Sequence, residues 1–287
     1  MALAARGAVL VTGTSTGIGR ATALRLARSG RPVFASVRRT GDADALRQEG
    51  APGLVPLLFD VTDPAAIQQA ARTVSEEVGD AGLAGIVNNA GYAVGGPIEF
   101  IDLDDLRRQL EVNVVGVVAV TQAFMPLVRK GRGRIVIVGS VGGRTALPIV
   151  GAYAASKFAL EGLADALRQE LAPSGIQVSL IEPGAIATPM MNEKAQSEGA
   201  ATLAALEGEA KQLYEDMGQA MLGAFAKFAS QAIDPDRVAR AIEHALTAPR
   251  AKTRYLVGAD ARVQALMAWL LPDRLHDAAK KRLAGLP

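Results

Sequence analysis

Short runs of β-branched and aliphatic residues alternate along this chain with longer segments whose apolar positions recur every three to four residues. The short runs predict strands at AVLV (8–11), VFASV (33–37), LVPLLF (54–59), AGIV (84–87), RIVIV (134–138), IQVSLI (176–181) and RYLV (254–257). Pro56 weakens the third, because proline cannot donate to a ladder. Between them the longer period predicts helices from about Ile18 to a C-cap at Gly30, over roughly 102–130, and over about 152–172. Two more helices announce their starts with Asp-Pro, at Asp63-Pro64 and Asp234-Pro235. Aspartate caps the first N–H groups there, and proline suits the first helical position. Strands joined through helices must run parallel, and strands apolar on both sides must be covered on both faces. The pattern therefore predicts an α/β fold, a doubly wound parallel sheet in one domain spanning 1–287.

Two segments break the rhythm. About forty residues, 189–232, contain no strand, and an insertion of that length predicts a lid or binding element. Tyr214, Met217, Met221, Phe225 and Phe228 fall on one helical stripe within it, and four of the seven methionines lie in 190–221. Flexible thioethers suit an adaptable apolar pocket. After the last strand an extension at about 259–287 carries a second stripe, Val263, Leu266, Met267, Leu270 and Leu271. It predicts a cover for the pocket or for a dimer seam. With Arg274, Lys280, Lys281 and Arg282 behind it, a helix lying on a membrane surface is the alternative.

Composition narrows the class. The 287 residues carry a net charge of +2, 49% are hydrophobic, and the basic residues are dispersed, which argues against a nucleic-acid partner. With no cysteine there is neither a disulfide nor a thiolate nucleophile, and a reducing, cytoplasmic location is expected. His244 and His276 stand apart and read as surface or half-buried helix residues, not metal ligands. No leader pattern is visible in MALAARGAVLV. The uncharged run Val112–Val128 contains Asn113, Gln122 and Pro126 and reads as a buried helix instead of a span.

The first chemical constellation joins the first strand to the first helix. VLVTGTSTGIGRATAL holds Gly13, Gly17 and Gly19, with Ser15, Thr16 and Ile18 between them. Glycines at a strand–helix turn let the backbone approach a pyrophosphate, and the helix N-terminus offers it unpaired N–H groups. A site for NAD wants an acid at the end of the second strand. Here Val37 holds that place, and Arg38 and Arg39 follow. A guanidinium pairs with a 2′-phosphate, so NADP(H) is expected in preference to NAD(H).

The second constellation lies downstream. Ser140 follows the fifth strand, and Tyr153 and Lys157 open the next helix four residues apart, on one face. Strand ends of an open parallel sheet share one edge, so all three return to the edge that carries the glycine turn. A tyrosine ionises near pH ~10, and a neighbouring ammonium is expected to lower that value. Tyr153 could then give a proton to a carbonyl or take one from an alcohol, with Ser140 holding the substrate oxygen.

These motifs resemble the short-chain dehydrogenase/reductase family over about residues 6–258. The likeness rests on T-G-x-x-x-G-I-G at 12–19, D-V at 60–61, N-N-A-G at 88–91, Asn113, Ser140, Y-x-x-x-K at 153–157 and P-G-x-x-x-T at 183–188. It implies a Rossmann-type sheet of about seven strands in the order 3-2-1-4-5-6-7. It also implies a catalytic tetrad of Asn113, Ser140, Tyr153 and Lys157, with Asn113 holding a water that links Lys157 to solvent. Asp60, beside Val61, would meet the adenine. Asn88 and Gly91, in one motif with Asn89 and Ala90, would meet the ribose region. Ile186 and Thr188, after Pro183 and Gly184, would meet the carboxamide. VFASVRR, ASKFALEGLADALRQEL and RYLVG look most like the branch of 17β-hydroxysteroid and retinol dehydrogenases. The resemblance thus implies an NADP(H)-dependent oxidoreductase of a lipophilic alcohol and its carbonyl partner, and a homodimer or homotetramer; no membrane partner is expected, the interfacial helix aside. The alternatives are a 3-oxoacyl thioester reductase and a regulator that senses NADPH without turnover.

Overall fold

The computed structural model describes residues 7–286. The first part of the segment without a leader pattern, residues 1–6, lies outside the described residues, as does Pro287. The strands form where the apolar runs predict them: β1 Ala8–Val11, β2 Val33–Val37, β3 Leu54–Leu58, β4 Leu83–Asn88, β5 Arg134–Val138, β6 Gln177–Pro183 and β7 Arg254–Val257. Every pairing is parallel, and the order is β3-β2-β1-β4-β5-β6-β7. The order reverses between β1 and β4, which opens a crevice at their carboxyl ends.

Alternate side chains of each strand enter opposite cores. Leu10, Phe34, Ile86, Ile135 and Leu180 pack with Val120, Phe124 and Leu160 on one face. Val9, Val11, Val33, Val87, Val136 and Ile181 pack with Leu26, Leu46, Ile242 and Leu246 on the other. That double burial is why the strands read as unbroken apolar runs. Pro56 is accommodated because β3 is the edge strand, paired on one side only, where Val55 and Leu58 stay exposed.

The helices that cover the sheet are α1 Gly17–Arg28, α2 Thr40–Gln48, α3 Pro64–Val78, α4 Leu103–Leu110, α5 Gly116–Lys130, α6 Gly151–Leu171 and α9 Pro235–Thr247. The predicted Asp-Pro starts hold. Asp63 accepts hydrogen bonds from the Ala65 and Ala66 N–H groups, and Asp234 accepts one from Asp236. Helix α2 was not predicted: it buries only Ala43 and Leu46, too few positions to show a period. The long helix expected over 102–130 is α4 and α5 joined by a π-helical turn at Glu111–Val115. By length and composition Leu103–Lys130 could cross a membrane. Its Val120, Phe124 and Val128 nevertheless belong to the core against the sheet.

The strandless insertion is a helical hairpin, α7 Glu193–Ala204 and α8 Gly208–Ser230. The extension forms α10 Ala259–Leu270 and α11 Asp273–Ala284. Its predicted stripe does not cover the pocket of its own chain. Helix α10 packs through Ala261 and Ala265, and Val263, Leu266 and Leu270 face outward. The cover comes instead from α11 and the residues after it. Ala284 and Leu286 join Met221, Phe225 and Phe228 of α8 in a third apolar cluster with Leu147 and Ile149. His276 is buried there, with its Nε2 3.3 Å from the Thr145 hydroxyl.

Candidate active site

The turn after β1 builds a cradle. Gly13 has φ +67°, and a Cβ there would come within 2.7 Å of the Ala90 backbone. Gly19 admits close packing of α1: a Cβ would sit 2.2 Å from the Gly13 carbonyl and 2.4 Å from Asn89 Nδ2. Thr14 N donates to the Ser36 carbonyl at 3.0 Å, and its hydroxyl to the same oxygen at 2.9 Å. Helix α1 opens with no side-chain cap from Thr16 and no acid in its first turn, so its positive end is left to a ligand.

The second wall of the cradle is β4 and its loop. Asn89 Nδ2 donates to the Thr12 and Gly13 carbonyls at 2.9 and 3.0 Å, and the Thr12 hydroxyl accepts the Asn89 and Ala90 N–H groups. Asn88 does not reach the cleft where the ribose was expected. It is 2% exposed, and its Nδ2 donates to Thr121 of α5 at 2.9 Å. Its Oδ1 has no hydrogen-bond partner among the described residues. Asn88 shares strand parity with Ile86, which faces α5, so its side chain must follow. Thr12 and Ser36 were not singled out from the sequence. A short hydroxyl residue where an apolar strand ends is the signal that could have found them.

Ser140, Tyr153 and Lys157 converge at the carboxyl edge of β5. Ser140 Oγ accepts the Gly142 N–H at 3.0 Å, which leaves its proton for the Tyr153 oxygen. Lys157 is 6% exposed and donates to the Val138 carbonyl at 3.0 Å, its Nζ 5.6 Å from the Tyr153 ring centroid. The expected lowering of the tyrosine by its lysine does not dominate in the chain alone. Burial pushes the Tyr153 phenol up, and only the Ser140 hydrogen bond pulls it back. The same burial brings Lys157 down to about 8. Asn113 sits beneath this group, 1% exposed, in the π-helical turn. Its Nδ2 donates to the Tyr92 carbonyl and to Ser156 Oγ, both at 3.0 Å, and its Oδ1 accepts the Tyr92 N–H at 3.1 Å. Its polar atoms thus tie Ser156, the residue before Lys157, to the loop after β4 at Tyr92.

A cleft of about 1520 Å³ joins these parts. Gly13, Ser15, Thr16, Gly17 and Ile18 line one end with Arg38, Asp60 and Val61. Asn89, Ala90 and Gly91 follow, then Ser140, Tyr153, Lys157, Pro183, Gly184, Ile186 and Thr188. Three predicted residues, Gly19, Asn88 and Asn113, lie behind this lining. Beyond Tyr153 the cleft lining continues through Leu147, Ile149 and the helical hairpin. The cradle, the uncapped helix end and a guanidinium at the far end form a donor set that fits a dinucleotide.

This fold and edge define a class. Residues 7–199 match the family described as short chain dehydrogenase, and the chain belongs to that family. It is an oxidoreductase that acts on hydroxyl and carbonyl groups with a nicotinamide cofactor. Retinol dehydrogenase 5 of Mus musculus is 40% identical over 278 residues, covering 94% of this chain and 86% of that protein. The Homo sapiens protein of the same name is 41% identical, with the same coverage. Among solved structures, a short-chain dehydrogenase from Streptomyces avermitilis superposes with a TM-score of 0.76 at 29% identity, covering 98% of this chain and 96% of that one. One from Burkholderia cenocepacia, in complex with NADP, gives 0.72 at 25% identity over 96% and 97% of the two chains.

Proposed function

We propose that the chain interconverts a secondary or allylic alcohol and its carbonyl on a lipophilic, steroid- or retinoid-like substrate, with NADP(H) as cofactor and Tyr153 as general acid and base. One observation carries the reading. The cleft that begins at the glycine cradle passes Ser140, Tyr153 and Lys157 and ends on Met190, Met191, Met221, Leu222, Phe225 and Phe228. An apolar chamber beside a proton donor suits a bulky hydrocarbon with one oxygen. The names of the retinol dehydrogenases that this chain resembles support the same substrate class.

The nicotinamide, when bound, supplies or accepts the hydride. The chain's own residues handle the oxygen and its proton. Ser140, fixed by the Gly142 N–H, orients the substrate oxygen. Tyr153 gives its proton to a forming alkoxide or takes one from an alcohol. Its phenol starts high, so it is a competent acid for reduction. Oxidation needs the phenolate, which the Lys157 ammonium behind the ring favours. Asn113 keeps α6 in register through Ser156.

The NADP(H) preference is supported by buried Val37 in the place of an acid and by exposed Arg38, whose guanidinium stands 3.9 Å from Asp60 at the rim. The NADP complex of the Burkholderia cenocepacia relative supports it further. Arg38→Ala should raise KM for NADPH about tenfold or more and leave kcat with saturating cofactor nearly unchanged. Equal kcat/KM for NADH and NADPH in the unaltered protein would remove the preference. Tyr153→Phe should lower kcat roughly 10²–10⁴-fold in an assay with a retinoid or steroid alcohol. A variant that keeps its turnover, or a protein that binds NADPH and turns over nothing, would refute the catalytic role and favour a sensor. A cytoplasmic homo-oligomer completes the proposal, supported by the lack of cysteine and by the exposed Leu103, Val115 and Phe158 on the face of α4 to α6.

A further inference from the structure

Residues 184–188 follow β6, and Gly184, Ala185, Ile186 and Thr188 line the cleft. Nearly every N–H of this segment has an acceptor within the protein. Gly184 donates to the Val257 carbonyl at 3.0 Å, Ala187 to Ile233 at 2.9 Å and Thr188 to Ile186 at 2.8 Å. Ala185 donates to a side chain, Asp260 Oδ2, at 2.7 Å. The Ile186 N–H has no acceptor among the described residues, although Ile186 is buried. Backbone donors of buried residues are almost always paired, so this one is kept for a ligand. It shares a trans peptide with the Ala185 carbonyl, which accepts the Ile233 N–H at 3.0 Å. The free donor therefore points away from Ile233.

Ala185 is thus clamped on both sides, and one clamp is a carboxylate from the extension. Asp260 lies in the first turn of α10, half-buried and in the cleft lining. Two glycines make room for it. A Cβ on Gly184 would strike both carboxylate oxygens, and one on Gly258 would strike Oδ1. Gly258 also holds φ +118°, a conformation that suits glycine, where the chain turns from β7 into α10. Helix α10 has no side-chain cap of its own, and its positive end favours a carboxylate there. The other ties of residues 184–188 run between backbone groups. The Ala185 bond alone depends on a particular side chain, and a charged acceptor makes it a strong one.

We propose that Asp260 is a positioning residue: by fixing the Ala185 N–H it sets the place of the Ile186 N–H, which donates to the carboxamide of the bound nicotinamide. This rests on the proposed function, which supplies the nicotinamide.

The test compares two ligands of the whole protein by calorimetric titration. NADPH carries the carboxamide, whereas 2′-phospho-ADP-ribose ends before it. Asp260→Ala should weaken NADPH binding about fivefold or more and leave 2′-phospho-ADP-ribose within about twofold. Asp260→Asn keeps an acceptor oxygen and should restore most of the affinity. Asp260→Ser, whose hydroxyl is too short to reach Ala185, replaces the alanine variant if that one does not fold. NADH and ADP-ribose, titrated in parallel, keep the 2′-phosphate out of the comparison. Amide exchange in the unaltered protein needs no substitution: NADPH should slow Ile186, and 2′-phospho-ADP-ribose should not. A variant that binds NADPH as the unaltered protein does, or that loses both ligands alike, would overturn the positioning role and leave the cofactor standing. So would an Ile186 amide that NADPH fails to protect. An unaltered protein that binds none of the four nucleotides would overturn the proposed function, and this inference with it.

Discussion

Replacing Lys157 with methionine should stabilise the nucleotide-free protein while removing its activity. The side chain is 6% exposed, and burial brings its pKa from the ordinary 10.5 down to about 8. At pH 7 the group is still mostly charged. The gap between 10.5 and about 8 means that holding this ammonium in place costs about 3 kcal/mol, at ~1.4 kcal/mol for each tenfold change. Methionine keeps most of the stem and omits the charge. It also deprives the Val138 carbonyl of its donor at 3.0 Å, a loss of about 1 kcal/mol. The net gain is about 2 kcal/mol, or roughly 4–8 °C in Tm for a chain of this size.

The pH dependence separates this cause from better packing. With the folded pKa below the unfolded one, the unfolded chain binds more protons between about pH 8 and 10.5, so the stability of the unaltered protein rises through that window. The advantage of the variant should be whole at pH 7 and gone near pH 10.5. Urea denaturation of both proteins across this range measures it. A variant that is less stable at pH 7, or an advantage that does not change with pH, would refute the reasoning. The same substitution should abolish turnover with a retinoid or steroid alcohol, because the phenolate then loses its cation.

Gly13→Ala forces a side chain into φ +67° and within 2.7 Å of the Ala90 backbone. Strain and crowding together should cost about 3 kcal/mol and weaken nucleotide binding at least tenfold, measurable by calorimetric titration; an unchanged Tm would count against the cradle. Arg144→Met removes the nearer of two cations on the fully buried Glu182, which it holds through Nε and, at 3.3 Å, through Nη2, and leaves Arg254 Nη1 at 3.8 Å. It should cost on the order of 3 kcal/mol at pH 8, read by urea unfolding. Burial already holds the Glu182 carboxyl above its ordinary range, so at pH 5.5 a proton can stand in for the arginine and the deficit should shrink. An equal deficit at both pH values would mean that charge is not its source.

The strands could be read from the sequence because each is buried on two sides and so shows as an apolar run; four of the seven strands match to the residue. Strand order is not contained in such runs and came only through the resemblance. Helix α2 was invisible because it touches the core at just Ala43 and Leu46. At the site, glycines, a hydroxyl, a phenol and an ammonium are legible as residue types. Direction is harder. Asn88 and Asn89 are adjacent and alike, yet one faces α5 and the other ties the cradle. The electrostatic balance was least legible: the sequence displays the charge of Lys157 and hides its burial, and burial sets the sign of the shift at both Lys157 and Tyr153.

The departures from ordinary folding rules gather at that same edge. Lys157 is a buried cation, and Asn88 Oδ1 is a buried acceptor without a donor among the described residues. Asn113 sits in a π-helical turn, and Ile149 holds a β-branched side chain at φ +67° while its carbonyl accepts the Gly96 N–H at 2.7 Å. Each costs stability, and each lies in the cleft lining or directly behind it. Elsewhere stand Arg132, with φ +49° in the turn before β5, Pro126 inside α5, and, unpartnered among the described residues, Thr22 Oγ1 and Glu161 Oε1. The rest of the scaffold follows the rules, with Asp-Pro caps and two apolar cores. Stability spent at one sheet edge is what an active site requires, because a lysine that is easy to bury is also a lysine with no charge to offer a phenolate. Substitutions that relieve these positions should therefore stabilise the fold and slow the chemistry together.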